Sequence, residues 1–285
     1  MTNDRMSSSA GVGGPSLADV VRAALAEDLG DRGDVTSLAL IPAEVRTSAR
    51  LVSRAEGVFA GRAAADEVAR QCGISVAWSV SDGAALATDT LIGELTGAAR
   101  AVLAAERTLL NLVGHLSGIA TMTRQFVDVC GGCAVLDTRK TTPGLRSLEK
   151  AAVVAGGGRN HRFGLHDQVL VKDNHLALAG ADLGAAVRLA RQRWPGIVIE
   201  VEADDIHGVR RALAAGADWI LLDNMDADQM RAAVAEIDGR ARTEGSGRMN
   251  LARAAEAADC GVDAVSVGAL THSSPTLDIG LDIDL

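Results

Sequence analysis

The chain has no tyrosine and few other aromatic residues, with three phenylalanines and three tryptophans among 285 residues. So few aromatic rings argue against a stacking platform for single-stranded nucleic acid. The formal net charge of -9 also argues against a general nucleic-acid binder, because neutralising phosphates requires a basic surface. We therefore predict that no nucleic acid is a partner of this protein.

Long apolar runs are absent as well. No stretch approaches the roughly 20 apolar residues of a transmembrane helix, so we predict no membrane partner. Residues 1–16 are rich in serine and glycine and lack the apolar core of a signal peptide, which predicts a disordered tail. The expected location is therefore the cytoplasm.

Cysteine is scarce, with four residues in the whole chain. Cysteines so few and scattered do not form a disulfide framework in a chain of this length. Cys130 and Cys133 do form a C-x-x-C segment, but a zinc or redox site would need further ligands or a thioredoxin-like context. We favour a glycine turn between a helix and a strand.

The first part of the chain predicts a small α/β sandwich domain. Apolar residues at helical spacing alternate there with runs in which every second residue is apolar. The predicted elements are a helix over 17–29 capped by Ser16, a strand over 48–60, a helix over 62–71 and a strand over 74–80.

A long helical pattern over 99–129 follows, and the glycines within 114–118 predict a break in it. The alternating tail at 277–283 predicts a strand that returns to the first domain. The predicted domains are therefore 17–113 together with 275–285, and a catalytic domain over 114–274.

In the second domain, short apolar runs each end abruptly in polar or charged residues. Polar residues at successive strand ends are typical of a β/α barrel, whose carboxyl rim collects all the βα loops. Helices are predicted between the later runs, over 183–194, 206–215, 227–237 and 250–260. Six or seven strands are visible and not eight, so we predict an α/β chain with an open, incomplete β/α barrel.

The first strand ends carry a dense group of basic residues. Arg139, Lys140 and Lys172 follow two of the apolar runs, and His161 and Arg162 lie between them. Arginine grips carboxylates with a planar fork, whereas lysine is a compact charge suited to phosphate. A solvated basic face is disfavoured because these residues follow buried runs. We predict a substrate with several anionic groups.

Glu202 and Asp223 end two later runs. Paired carboxylates beside a phosphate site are typical ligands of Mg²⁺ on a pyrophosphate. Three alternatives stay open from the residues alone: a general acid/base pair, electrostatic stabilisation of an oxocarbenium ion, and structural salt bridges to Lys140 or Lys172.

The last two strand ends predict a phosphate site. Ser246 and Gly247 precede a predicted helix, and the run from Gly268 to His272 follows the final strand. Backbone N–H groups at a glycine turn and a helix N-terminus bind phosphate, and the last loops of a barrel are a favoured position for it.

Several motifs together resemble the quinolinate phosphoribosyltransferase family. The similarity extends over nearly the whole chain after about residue 17. The motifs are the segments 27–30, 106–108, 111–118, 137–146, 156–158, 160–162, 172–175, 221–224 and 267–273.

This resemblance implies transfer of phosphoribose from phosphoribosyl pyrophosphate to quinolinate with decarboxylation, in NAD biosynthesis. It implies a homodimer in which Arg107 reaches the partner's active site, and Mg²⁺ as the cofactor. It also implies roles for individual residues. The two carboxylates of quinolinate are held by Arg139, His161, Arg162 and Lys172. Phosphoribosyl pyrophosphate and its metal are bound by Lys140, Glu202 and Asp223, and the 5-phosphate is held by Ser246, Gly247 and Gly268, with His272 beside them.

The chain departs from the family pattern at three positions. Ala151 and Val154 stand where the family has tyrosine and arginine, and Arg248 stands where the phosphate loop has glycine. These departures motivate an alternative, a paralogous phosphoribosyltransferase of the same fold that acts on another heteroaromatic acid. A non-catalytic binding protein is a further alternative, which the retained basic and acidic residues disfavour.

Overall fold

The structure is a computed structural model that describes residues 14–283. Most of the tail predicted over 1–16 lies outside the described residues. The chain divides into two compact units. The first comprises the described chain up to Arg124, Thr141–Gly157 and the chain from Thr271 onward, and the second comprises Gln125–Lys140 and Gly158–Leu270. The domain boundaries drawn from the sequence stay a prediction.

The first unit combines helices with a four-stranded antiparallel sheet. The strands are ordered β12-β1-β5-β3, and β2 and β4 form a separate pair. The elements are α1 (Leu17–Leu29), α2 (Val35–Leu40), β1 (Arg46–Ser53), β2 (Gly57–Val58), α3 (Arg62–Cys72), β3 (Ser75–Trp78), β4 (Ala85–Leu86), β5 (Leu91–Ala98), α4 (Ala99–Cys130), α5 (Arg146–Ala155) and β12 (Ile279–Ile283). Strand β12 pairs with β1, so the predicted return of the tail is confirmed.

Helix α1 begins where the sequence predicts. The Ser16 hydroxyl accepts the N–H of Asp19 over 3.2 Å, and the Asp19 carboxylate accepts the N–H of Ser16 over 3.2 Å. This capping box satisfies two backbone donors that the helix itself leaves unpaired. Val21 and Leu25, one turn apart, form the buried face.

The predicted break in α4 is wrong. The helix is continuous over Ala99–Cys130. A Cβ atom at Gly114 would lie 3.0 Å from the backbone oxygen of Leu277, and one at Gly118 would lie 2.0 Å from that of Pro275. The two glycines therefore allow the segment before β12 to pack closely against α4, and they do not interrupt the helix.

The second unit is built on a six-stranded parallel sheet, ordered β6-β11-β10-β9-β8-β7. Its elements are β6 (Ala134–Leu136), β7 (Val169–Val171), α6 (Asp173–Ala179), α7 (Leu183–Arg193), β8 (Ile199–Ala203), α8 (Ile206–Ala215), β9 (Trp219–Asp223), α9 (Ala227–Ile237), β10 (Arg242–Ser246), α10 (Leu251–Asp259) and β11 (Ala264–Ser266). The end of α4 from Gln125 onward also belongs to this unit, and the short α11 (Ala269–His272) begins in it and ends in the first. The strand–helix alternation is the one predicted.

The core of this unit is formed by the apolar side chains of its strands and helices. The strands carry fully buried Ile199, Ile220 and Leu222, and helix α8 buries Val209 and Ala212. Near-continuous apolar runs suit a parallel sheet covered by helices, because the strands are then shielded from water. The fold class is confirmed: an α/β chain with an antiparallel-sheet domain and an open, barrel-like parallel sheet.

Candidate active site

The carboxyl edge of the parallel sheet gathers ten of the predicted site residues. All six strands run in one direction, so their carboxyl ends meet at one edge. The ten belong to the second unit: Arg139 and Lys140 after β6, His161 and Arg162 before β7, Lys172 after β7, Glu202 on β8, Asp223 on β9, Ser246 and Gly247 at the end of β10, and Gly268 after β11. Arg107 and His272 belong to the first unit.

Lys172 and Glu202 form an ion pair across neighbouring strands. The register pairs Val171 of β7 with Val201 of β8, which sets the next residue of each strand side by side. The Lys172 ammonium donates to the Glu202 carboxylate. The lysine side chain is 42% exposed and the glutamate 23%, so both charges stay accessible to a ligand. One of the salt bridges considered from the sequence is therefore present.

The loops after β9 and β10 are tied together. The N–H of Asn224 donates to the Ser246 carbonyl over 3.0 Å. The Asn224 amide donates to Asp223 over 2.7 Å. Gly247 has a φ of 98°, and a Cβ there would lie 2.3 Å from the Asn224 side chain. Only glycine fits this close approach, which keeps the backbone open at the predicted phosphate site.

Strand β11 joins the same arrangement. The Ser266 hydroxyl donates to the Ser246 hydroxyl over 3.1 Å. Helix α10 begins just beyond this point, where the Asn250 side chain accepts the N–H of Arg253 over 2.9 Å. The predicted phosphate loop after β10 is thus fixed on both sides.

Arg139 and Arg162 lie near enough to each other for their charges to interact. The pKa of Arg162 is lowered, because burial disfavours its charge and Arg139 lies close enough to repel it. The Arg162 guanidinium donates to the Gln168 carbonyl over 3.3 Å. Arginine remains charged under all ordinary conditions, so this repulsion favours binding of an anion between the two side chains.

His161 lies in a buried acidic cluster. Its Nε2 lies 3.1 Å from Glu200 and 3.3 Å from Glu244, and its backbone N–H donates to Asp137 over 2.9 Å. The facing ligand atoms of His161, Glu200 and Glu244 lie within 4.8 Å of one another, close enough to share a metal ion.

Burial and hydrogen bonds shift the pKa values of His161 and Glu200. Burial lowers the pKa of His161, but its hydrogen bonds to Glu200 and Glu244 outweigh burial and raise it to about 10. Burial and the charge of Glu244 raise the pKa of Glu200 to about 7. The N–H of Arg162 donates to Nδ1 of His161 over 2.7 Å, which leaves Nε2 to face the two carboxylates.

Matches to two family models cover most of the chain. Residues 34–117 match the quinolinate phosphoribosyl transferase N-terminal domain, and residues 119–282 match its C-terminal domain. The chain belongs to the quinolinate phosphoribosyltransferase family.

Relatives within the family are similar over nearly their full length. A nicotinate-nucleotide pyrophosphorylase [carboxylating] of Mycobacterium leprae is 46% identical over 93% of this chain and 96% of its own. A chloroplastic enzyme of that name from Oryza sativa subsp. japonica is 39% identical over 94% of this chain and 78% of its own. The nicotinate-nucleotide pyrophosphorylase structure from Francisella tularensis has a TM-score of 0.88 at 36% identity, covering 94% and 96%.

The departures from the family pattern lie at exposed positions. Ala151 and Val154 are exposed on α5, in the first unit. Arg248 is exposed in the phosphate loop and has a φ of 46°. This left-handed conformation is one that glycine adopts without strain, in agreement with the glycine of the family pattern.

Sequence reasoning placed Glu200 and Glu244 at the ends of apolar runs but gave them no role, and it did not consider Gln168. Glu200 and Glu244 are buried on β8 and β10, and Gln168 is buried just before β7. A signal was available, since charged residues in otherwise apolar strands need a partner. Glu200 also shares a strand face with Glu202, because side chains alternate with a period of two.

The C-x-x-C segment forms the predicted turn. Helix α4 ends at Cys130, β6 begins at Ala134, and both intervening glycines have positive φ. Burial raises the pKa of the Cys133 thiol to about 12, so it stays protonated and unreactive at neutral pH.

Within residues 14–283, no helix has both the length and the apolar composition needed to span a bilayer.

Proposed function

We propose that this protein transfers phosphoribose from phosphoribosyl pyrophosphate to quinolinate, forming nicotinate mononucleotide, pyrophosphate and CO2 in NAD biosynthesis. The observation that carries the proposal is the carboxyl edge of the parallel sheet in a member of this family. It combines an arginine pair for an acid, the Lys172–Glu202 ion pair and glycine-lined loops for phosphate.

The acid is bound by Arg139, Arg162 and Lys172. The two arginines are close enough to repel each other, so a dicarboxylate between them relieves that repulsion and is gripped by planar forks. His161 closes this side of the site. Held in this way, the pyridine nitrogen faces the sugar, and orientation alone lowers the barrier substantially.

The phosphoribosyl donor is bound at the other strand ends. Ser246, Gly247 and Gly268 offer backbone and hydroxyl donors to the 5-phosphate. Lys140 is exposed after β6 and neutralises the charge of the pyrophosphate as it leaves. The pyridine nitrogen attacks the anomeric carbon as the bond to pyrophosphate breaks.

Decarboxylation then follows from the charge on the ring. The pyridinium accepts the electron pair left when the bond between carbon 2 and its carboxylate breaks. A proton takes the place of the lost CO2. The enzyme needs no covalent nucleophile for either step, and its residues act by position and charge.

Glu202 and Asp223 fit a magnesium ion. Their carboxylates are hard oxygen donors at the ends of neighbouring strands β8 and β9, and both side chains are half-buried. Bound there, Mg²⁺ supplies positive charge to the pyrophosphate group.

The active unit that we propose is a homodimer. Arg107 is exposed on α4 and reaches the active site of the partner subunit. Its charge then adds to the cations that hold the acid. The cytoplasmic location stays a prediction.

The test is turnover with matched acids. Purified protein is incubated with Mg²⁺, phosphoribosyl pyrophosphate and either quinolinate or nicotinate, and mononucleotide and CO2 are followed. We expect product with quinolinate alone, and loss of activity when EDTA removes the metal. Binding of phosphoribosyl pyrophosphate without turnover of quinolinate contradicts the proposal. It favours a paralogue that acts on another heteroaromatic acid, an alternative motivated by the departures from the family pattern at Ala151, Val154 and Arg248.

A further inference from the structure

Arg162 is anchored at two points by protein groups. Its backbone N–H donates to Nδ1 of His161 over 2.7 Å. Its guanidinium donates to the backbone carbonyl of Gln168 over 3.3 Å. The first anchor fixes the backbone from which the side chain extends, and the second restricts the direction of the charged fork. Direction matters here because a bidentate grip on a carboxylate needs both N–H groups aligned.

Both anchors lead to the same buried oxygen. Oε2 of Glu200 lies 3.1 Å from Nε2 of His161, and it accepts the side-chain amide of Gln168 over 2.8 Å. Glu200 is 0% exposed, Gln168 7% and His161 9%. Groups so deeply buried are fixed by packing, so this linkage has few alternative arrangements.

The imidazole ring has both nitrogens engaged within the protein. Nδ1 accepts from Arg162, and Nε2 faces Glu200 and also Glu244, at 3.3 Å. A substrate carboxylate would have to displace one of these contacts to bind the ring. The guanidinium of Arg162 has further N–H donors for a carboxylate besides the one that it gives to Gln168.

We propose that Glu200 is a positioning residue that holds Arg162 at two points, through His161 at the backbone and through Gln168 at the guanidinium. The inference deepens the proposed function, and it rests on that function for the identity of the acid.

The test compares variants that keep or remove the shared acceptor. Glu200→Gln keeps the shape and one oxygen able to accept both hydrogen bonds, whereas Glu200→Met keeps the volume without an acceptor. Gln168→Met breaks the second path alone. Gln192→Met, at an exposed position on α7, is the control. KM for each substrate, kcat and Tm are measured, together with quinolinate binding by calorimetry.

We expect Glu200→Met to raise KM and Kd for quinolinate about tenfold, which corresponds to about 1.4 kcal/mol. Gln168→Met should raise them about threefold, and Glu200→Gln and the control by less than about twofold. KM for phosphoribosyl pyrophosphate should stay within about twofold throughout. The Glu200→Met, Gln168→Met double variant should be no worse than Glu200→Met alone, since Gln168 acts on Arg162 through its bond to Glu200.

Three outcomes overturn the inference. The first is unchanged quinolinate affinity in folded Glu200→Met and Gln168→Met. The second is an equal rise in KM for both substrates with a lowered Tm, which marks a general loss of structure. The third is equal damage from Glu200→Gln and Glu200→Met. If Glu200→Met does not fold, Gln168→Met decides by the same criteria, because it exchanges one neutral side chain for another of similar volume.

Failure of the proposed function gives a different result. A wild-type protein that binds quinolinate without turning it over contradicts the function, and the binding measurements on the variants still decide the role of Glu200. A wild-type protein that neither binds nor converts quinolinate contradicts both.

Discussion

At Arg248 the backbone conformation favours glycine, whereas the proposed phosphate site favours a positively charged side chain. Its φ of 46° lies in the left-handed region, which costs a residue with a Cβ about 1–2 kcal/mol. Its guanidinium is exposed in the loop that we propose for the 5-phosphate. The sequence left open whether this arginine strains the loop or adds a phosphate contact.

Arg248→Gly separates these two effects. We expect the free energy of unfolding to rise by up to about 1 kcal/mol, because relief of the left-handed strain exceeds the entropy cost of glycine. Asp238→Gly is the matched control, since Asp238 has a φ of 45° at the end of α9. Urea unfolding gives the stability of both variants. An increase in KM for phosphoribosyl pyrophosphate in Arg248→Gly alone assigns a phosphate contact, and an unchanged KM excludes one.

Asp263 stabilises the amino-terminal end of the parallel sheet. It accepts the N–H and the hydroxyl of Thr243 over 2.8 and 2.9 Å, and it pairs with Arg242. Burial raises its pKa, but these hydrogen bonds and the arginine outweigh burial, so the pKa lies below the usual range. The carboxylate therefore stabilises the fold above about pH 4, and this contribution is lost as pH falls through the lowered pKa.

Asp263→Asn should lower the free energy of unfolding at pH 7 by about 1–2 kcal/mol. The difference from wild type should shrink as pH falls below about 4, because the carboxylate of the unfolded chain then takes up a proton and the folded one follows as pH falls through its lowered pKa. Urea unfolding at pH 7 and pH 3 measures it, with Asp259→Asn, exposed at the end of α10, as the control. A difference that is constant with pH would show that charge is not the cause.

At the scale of elements, α4 shows the limit of local reasoning. Glycine weakens a helix in isolation, and the residues 114–118 therefore predicted a break. The helix continues because the chain at 275–277 packs against it there, at a distance that leaves no room for a Cβ. Tertiary packing thus overrides propensity in this helix.

Gly118→Ala tests this account directly. Helix propensity alone predicts stabilisation by about 1 kcal/mol. We expect the opposite, destabilisation by about 2 kcal/mol or more, because the new Cβ would lie 2.0 Å from the Pro275 carbonyl oxygen, a backbone atom. Thermal unfolding measures the change. Gly184→Ala in α7, where the nearest atoms belong to side chains, should be neutral or stabilising.

At the scale of the whole molecule, the sharing of sites between subunits is the main proposal. Arg107 and Lys140 contribute to one active site from two subunits if Arg107 reaches across the dimer. Arg107→Ala and Lys140→Ala homodimers should each be nearly inactive. A mixed dimer has one site with both residues intact. Random exchange makes about half of the dimers mixed, so mixing should restore up to about one quarter of wild-type activity.

Differently tagged subunits allow the mixed dimer to be purified and assayed. The control mixes two preparations of Arg107→Ala, which should remain inactive. Confirmed subunit exchange without recovered activity would place Arg107 and Lys140 at the same subunit's site, or Arg107 outside the site.

The sequence by itself determined the elements of the parallel sheet and the residues at their carboxyl ends. Apolar runs of strand length and helical stripes are local patterns, so Lys172, Glu202 and Asp223 could be placed at strand ends without a structure. The long motifs around Arg139 and Lys140 determined the family in the same way. None of these conclusions required knowledge of which distant residues touch.

Only the tertiary structure decided the surroundings of those residues. Glu200 contacts His161 and Gln168, which lie 32 or more residues away in the sequence. Pro275 and Gly118, which approach each other closely, are much farther apart along the chain. Such pairings depend on how whole elements pack, and no local pattern encodes them. Burial then gives these contacts their energetic weight, because a buried polar group or a crowded backbone atom has no water to substitute for its partner.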